Sequence, residues 1–244
     1  MEVRMGAKLV AQRILPQVCA DNFFQHCRAK VRGQGCLGDF AVISGFHRFI
    51  ITDAVQAGII ARMSPFYTRT GDEGYTGLLG EGRLRKFDDR IEALGVLDEA
   101  TAALGLARSA CKAPQTGALI LAAQRDLYLL MAEVGATPEN APRFRKIDAA
   151  RVKWLETQTD LLADTVTMPH EFIIPGENLS SAALSLARTV VRRAERQIVA
   201  LFHGEELENI HLLAYLNRLS SLCFVLELVE NEFAGQTTRL AKEK

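Results

Sequence analysis

The stretch FYTRTGDEGYTGLLGEGRLRK, residues 66–86, concentrates groups suited to holding a polyanion. Gly71, Gly74, Gly77 and Gly80 recur every third residue with Gly82 close behind, so the backbone can approach a ligand without side chains intervening. Thr68, Thr70 and Thr76 add hydroxyl donors, and Arg69, Arg83, Arg85 and Lys86 add positive charge. Backbone amides, hydroxyls and fixed cations are what a polyphosphate requires, because each phosphate oxygen is a strong acceptor whose charge must be neutralised. The stretch has neither the Gly-Lys-Ser/Thr of a Walker loop nor the G-x-G-x-x-G of a dinucleotide fingerprint. Taken alone, it also fits a solvated loop between structured regions.

Further downstream, Arg188, Arg192, Arg193, Glu195 and Arg196 fall within one helical pattern. At 100° per residue Arg188, Arg192 and Glu195 lie within about 60° of one another. Leu186, Val190, Val191, Ala194, Ile198 and Leu201 lie broadly opposite, so the stripe points away from the chain's own core. A solvated face with an i, i+3 ion pair is one reading; the density of arginine, whose planar fork suits phosphate oxygens, favours another. Asp98 sits beside the Ile91, Leu94 and Gly105 side of an earlier helix, where a partly desolvated carboxylate needs a cation. Asn217 adjoins Leu213, Leu216 and Leu219, so its amide should have a definite partner. Glu208 and His211 form a single E-x-x-H, and di-iron chemistry requires two.

Positioning these groups falls to five helices. Asp88 and Asp89 open the first, which ends near Ala110; the second runs from about Thr116 to Ala136, and Pro138, Asn140 and Pro142 break the chain. The third runs from about Arg143 to Asp164 and carries Trp154. Met168 to Gly176 is an extended connection bracketed by Pro169 and Pro175, with Phe172 on it. The fourth runs from an Asn178 or Ser180 cap to His203, before Gly204, and the fifth from about Glu208 to Phe233. With almost no strand signal after residue 80, the pattern predicts an all-α, five-helix antiparallel bundle (residues 63–234), preceded by the glycine-rich loop and followed by a frayed polar tail at 235–244.

Lys plus Arg equals Asp plus Glu at 29 each, so no global field draws the chain to nucleic acid or an anionic membrane. Apolar runs stop short of the roughly 18 residues of a membrane span. Cys19, Cys27, Cys36, Cys111 and Cys223 contain no C-x-x-C pair and are odd in number, which fits a reducing cytoplasm. His26, Cys27, Cys36 and His47 match no zinc spacing, and no protein metal site is expected. Residues 1–62 hold eight basic and four acidic residues with no sustained period. They read as an extension upstream of the organised chain, with Met63 as its natural start, or as a transit peptide to an organelle.

Three segments resemble the ATP:corrinoid adenosyltransferases of the trimeric five-helix type: TRTGDEGYTGLLGEGRLRKFDDRIEALGVLDEA (68–100), FIIPG with LARTVVRRAER (172–176 and 186–196), and YLNRLSSLCFVL (215–226). The resemblance implies a homotrimer with active sites between subunits, making adenosylcobalamin from ATP and cobalamin. By that similarity Thr68, Arg69, Thr70, Gly71, Asp72, Thr76, Gly77 and Lys86 would cradle the ATP phosphates with Mg²⁺. Arg192, Arg193, Glu195, Arg196 and Asn217 would hold the nucleotide from the adjacent subunit. Asp98 would pair with Arg188, and Phe172 would fill the space below the corrin ring. A corrinoid reductant and an adenosylcobalamin-dependent enzyme would be its partners. Tyr75, Gly77, Ala100, Thr101 and Ser221 depart from the family's usual residues, which leaves open a corrinoid- or nucleotide-binding carrier or sensor.

Overall fold

The structure, a computed structural model, describes residues 67–242. The expectations for residues 1–62 and for Met63 lie outside them. Among the described residues the order is β1 (Tyr75–Gly77), β2 (Arg83–Arg85), α1 (Asp89–Ala110), α2 (Thr116–Val134), α3 (Ala141–Phe144), α4 (Ala149–Ala163), α5 (Leu179–His203) and α6 (Ile210–Phe233). Five long helices make the expected bundle.

Each long helix begins or packs where its sequence requires. Asp88 caps α1 by accepting from Arg90 N at 3.0 Å. At the start of α5, Asn178 accepts from Ser181 N at 2.8 Å while Ser181 Oγ accepts from Asn178 N at 3.2 Å, a reciprocal box that satisfies two otherwise orphaned donors. Asn209 caps α6 through His211 N at 3.1 Å. Helix α6 is long and apolar enough to cross a membrane, with mean hydropathy 1.5, but it is instead the central buried helix, packed against α5, α4 and α2. Ala183, Ala187, Val191, Ala194 and Ile198 of α5 meet it with Leu212, Tyr215, Leu216, Leu219 and Cys223. Small residues on α5 let the two axes approach closely.

Three expectations are corrected. The third helix does not run unbroken from Arg143 to Asp164: α3 ends at Phe144 and α4 begins at Ala149. Between them Ile147 turns into the core and Asp148, extended at φ −125°, caps α4 by accepting from Arg151 N at 2.8 Å. A side chain that satisfies the new helix's first amides competes with continuation of the old one. The glycine stretch, expected as a loop, contains an antiparallel hairpin with Thr76 opposite Leu84. Residues 235–242, expected to fray, include Leu240 in an antiparallel bridge with Ile173.

The hairpin is tied to the bundle beside its turn. Leu79 N donates to Gly135 O at 2.8 Å and Thr137 N returns a bond to Leu79 O at 3.2 Å. Asn140 Nδ2 adds a third contact to Leu79 O at 3.3 Å. Gly80 has φ +147°, and a Cβ there would lie 2.5 Å from Thr137 Oγ1 and 2.7 Å from Asn140 Nδ2. Both the backbone angle and the space demand glycine. Gly80→Ala is therefore expected to destabilise the protein by about 1–3 kcal/mol, the scale of one strained backbone position; a urea midpoint equal to that of the parent chain would remove this seam from the account.

Candidate functional site

The polar groups of the hairpin gather over a few residues. Thr68 and Thr70 share a hydroxyl hydrogen bond of 2.8 Å. Arg69 between them takes φ +62°, a region side-chain-bearing residues rarely adopt. Gly71 faces Lys86: a Cβ at 71 would stand 3.0 Å from Lys86 Nζ. Lys86 N donates to Gly74 O at 2.9 Å, which fixes the end of β2 against the loop. Beside them Glu73, Gly74, Tyr75, Arg85, Lys86 and Phe87 line a depression of about 510 Å³. Thr76 is half-buried on β1, next to the exposed Gly77, and Asp72 is exposed.

Arg83, read as one of several bases for an anion, has another task. Its guanidinium donates to Thr70 O and to Tyr75 O, the second at 3.2 Å, and so braces the loop from inside the hairpin. Lys86 makes no ion pair among the described residues. Its ammonium stands beside Gly71 of the loop.

On α5 the arginines do face outward, with Arg192, Arg193 and Arg196 exposed. Asn217 on α6 has the definite partner its position requires: Nδ2 donates to Glu195 Oε1 at 2.9 Å, and Oδ1 accepts from Arg218 Nη1 at 2.9 Å. Arg193 pairs with Glu99 of α1. Arg196 donates to Arg192 O at 3.0 Å, leaving the Arg192 side chain without an ion pair among the described residues. Among the described residues of this single chain, no hydrogen bond or ion pair joins residues 68–86 to these arginines.

Two members of the predicted set stand elsewhere than expected. Asp98 is exposed, not half-desolvated, because the buried face of α1 centres on Ala93, Leu97, Ala100, Leu104 and Ala107. It lies more than a quarter-turn away, at 100° per residue, and forms no ion pair with Arg188 among the described residues. Arg188 is half-buried and leans toward α6, and its Nε is buried without a partner. Phe172 is on its loop as expected and is 85% exposed.

Of the buried charged residues that sequence reading missed, Arg90 and Glu227 are two that periodicity could have found. Arg90, in helical register with Leu97, donates to Val134 O at 2.9 Å and Glu206 O at 2.8 Å, tying α2 and the α5–α6 connection to α1. Glu227, four residues after Cys223, is 1% exposed, and neither carboxyl oxygen has a hydrogen-bond partner. Burial pushes its carboxyl up to about 7, opposed by the nearby Ser185 hydroxyl, which lies close but outside hydrogen-bond geometry, and by the Arg188 charge. Burial likewise pushes the Cys223 thiol up to about 12, against the nearby Arg188, so that thiol is unreactive. Glu208 pairs with Arg145 at 3.2 Å, and no cluster of three His, Cys, Asp or Glu suited to a metal occurs among the described residues.

Fold and site together define an all-α bundle with a polar hairpin at one end and an outward-facing row of arginines along one helix. The family model for cobalamin adenosyltransferase matches residues 66–230, and the chain belongs to that family. It is 37% identical over 177 residues to the corrinoid adenosyltransferase PduO of Citrobacter freundii, across 72% of this chain and 52% of that one. With the corrinoid adenosyltransferase of Bacillus subtilis it shares 36% identity over 174 residues, covering 69% and 88% of the two chains. A variant PduO-type ATP:corrinoid adenosyltransferase from Lactobacillus reuteri, complexed with cobalamin and ATP, superposes with TM-score 0.67 at 31% identity, over 73% of this chain and 99% of that one. The chain spans about half the length of the curated PduO relatives it matches.

Because the Glu227 carboxyl is raised in the folded protein, the native state holds a proton that the unfolded chain releases. Its effect on stability is thus absent below about pH 4.5 and grows as an increasing cost up to about pH 7, the two values that bracket the shift. Glu227→Gln should match the parent at pH 4 and exceed it by about 1–3 kcal/mol at pH 8. Parallel stability curves across that range, measured by urea unfolding, would rule out the buried acid as the cause.

Proposed function

We propose that the chain transfers the 5′-deoxyadenosyl group of ATP to the cobalt of a reduced corrinoid, giving adenosylcobalamin and inorganic triphosphate. One observation carries this reading: a hydroxyl- and glycine-rich hairpin and an arginine face lie on one bundle, in a family whose Lactobacillus reuteri member is complexed with cobalamin and ATP. ATP and the corrinoid are the substrates, and Mg²⁺ comes with the triphosphate. Thr68, Arg69, Thr70, Gly71, Asp72, Thr76, Gly77 and Lys86 hold the phosphates, with Lys86 Nζ over Gly71 as the fixed cation. Arg192, Arg193, Glu195, Arg196 and Asn217 hold the remainder of the nucleotide.

The site is completed by a second subunit of a homotrimer. Support comes from the exposure of Arg192 and Arg196 without any tie to their own hairpin. The exposed Asp98 and the orphaned Arg188 Nε support an ion pair formed across the same interface, since an unmet buried donor costs stability until a partner arrives. A reducing cytoplasm, with a corrinoid reductant and an adenosylcobalamin-dependent enzyme as partners, fits the free thiols of Cys111 and Cys223.

The protein has little covalent work in this reaction. Phe172, held in solvent on its loop, covers the lower face of the corrin and excludes the lower axial base. The four-coordinate cobalt(II) that results accepts an electron more readily. The electron pair of cobalt(I) then forms the cobalt–carbon bond at ribose C5′ as the C5′–O bond breaks, and its electrons leave with the triphosphate. Fixed cations meet that charge, and orientation supplies most of the remaining effect.

Adding ATP to protein and chemically reduced cobalamin should give the absorbance change of cobalt–carbon bond formation; tight ATP binding with no such change would overturn the enzyme reading in favour of a carrier. Arg192→Ala should raise the Michaelis constant for ATP at least about tenfold, the loss of a charged hydrogen bond worth about 1.5–3 kcal/mol. An unchanged constant would take Arg192 out of the site. Phe172→Ala should leave that constant alone and slow the reaction starting from cobalt(II) but not from preformed cobalt(I); equal slowing of both would refute its role.

A further inference from the structure

The connection from α4 to α5 is long, and α5's cap at Asn178 and Thr167 N, which donates to Glu232 Oε1 at 2.9 Å, hold it only at its ends. Its middle is held by the C-terminal segment. Ile174 N donates to Arg239 O at 2.8 Å and Ala241 N donates to Phe172 O at 2.7 Å, on either side of the Ile173–Leu240 pair. Both peptides flanking Ile173 are therefore fixed to residues near the end of the chain.

Strand geometry gives this pairing a direction. Successive side chains of an extended segment point to opposite faces, so Ile173 and Leu240, both half-buried, share one face. Phe172 and Ile174 are turned to the other, where they are 85% and 46% exposed. The register is further set by Arg239 with Glu177 at 3.8 Å, Lys242 with Glu171 at 3.4 Å, Asn231 Nδ2 to Thr238 Oγ1 at 3.2 Å and Asn178 Nδ2 to Gln236 Oε1 at 2.9 Å. Exposed ion pairs are weak singly, but a one-residue slip of this pairing would turn Phe172 inward. A large aromatic kept in water by so many contacts is being presented to something.

We propose that residues 238–242 form a clamp that presents Phe172, with Leu240 and Ala241 as positioning residues for the aromatic that meets the corrin. The clamp rests on the function proposed above. It acts through the backbone: the tail does not touch substrate but sets the side of the 172–174 segment on which Phe172 stands. Loss of the tail should let the ring rotate away, so that the lower axial base stays on cobalt(II) and the reductive step fails while ATP is bound as before.

The test compares the full chain with Ala241→Pro, which removes the amide that donates to Phe172 O, with Ala241→Gly, which keeps it, and with a chain ending at Thr237. Three readings are made: deuterium exchange over residues 171–175, the spectroscopic fraction of four-coordinate cobalt(II) in the presence of ATP, and the Michaelis constant for ATP. Ala241→Pro and the truncation should exchange faster and lose four-coordinate cobalt(II) by about fivefold, the scale of one backbone hydrogen bond. Ala241→Gly should behave as the parent, and the ATP constant and the rate with preformed cobalt(I) should hold in all. The truncation guards against a misfolded proline variant, since no residue of 238–242 belongs to the buried core. Unchanged exchange in both disrupted chains, or faster exchange with an undiminished four-coordinate fraction, would overturn the clamp. Should the parent chain itself make no adenosylcobalamin while the disrupted chains still exchange faster, the clamp stands and the proposed function falls.

Discussion

Close packing of α5 against α1 and α6 is the constraint from which the rest of this structure follows. Ala183, Leu184, Ala187, Val191, Ala194, Ile198 and Leu201 of α5 are all essentially buried, and three of the seven are alanine. Small side chains along that stripe bring the helices together, and close packing gives the bundle most of its favourable free energy. The same stripe leaves Arg192, Arg193 and Arg196 no inward direction. Their exposure is thus the other side of a core requirement, and any ligand that uses them must approach from outside the bundle.

Polar groups inside the bundle divide into those that join helices and those left without a partner. Asp126, 5% exposed, accepts from Tyr215 Oη at 2.6 Å and from Arg151 Nε at 2.7 Å, whose guanidinium lies 3.7 Å from the centre of the Trp154 ring. This network links α2, α4 and α6. Glu230 similarly accepts from Lys112 N, Ala113 N and Ser180 Oγ, all within 3.0 Å, closing the opposite end. Satisfied buried networks of this kind set which helices are neighbours. Among the unsatisfied buried atoms, Arg188 Nε and both oxygens of Glu227 lie on facing helices near the arginine stripe, whereas Thr116 Oγ1 and Gln124 Oε1 lie on α2.

The hairpin and the Phe172 loop are placed by backbone contacts to distant segments. Leu79 is held by Gly135 and Thr137, and Ile173 by Arg239 to Ala241. The first seam ties an irregular segment, which could otherwise sample many conformations, to the end of α2, and the second ties two irregular segments to each other. Such anchoring lowers the entropy that ligand binding must remove.

Much of this was legible in the chain as written. Apolar residues at helical spacing, with Asp88, Asn178 and Gly204 as end signals, determined five helices, and the density of glycine, threonine and arginine picked out both halves of the candidate site. What helical spacing could not decide was where a face centres and what lies across from it. Asp98 read as half-buried because Ile91 and Leu94 are apolar, yet the core formed around Ala93, Leu97 and Ala100, residues whose small size made them weak signals but allowed the closest approach. The break at Ile147 rests on the Asp148 cap, a local signal that the longer apolar pattern masked, while the brace by Arg83 and the seat of the tail on Ile173 depend on partners 8 to 67 residues away along the chain, and hydrogen bonds of that reach have no periodic signature. Sequence by itself determined which residues are amphipathic, capped and charged; only the tertiary structure decided which of those charges are left facing outward, because that depends on how closely the helices pack.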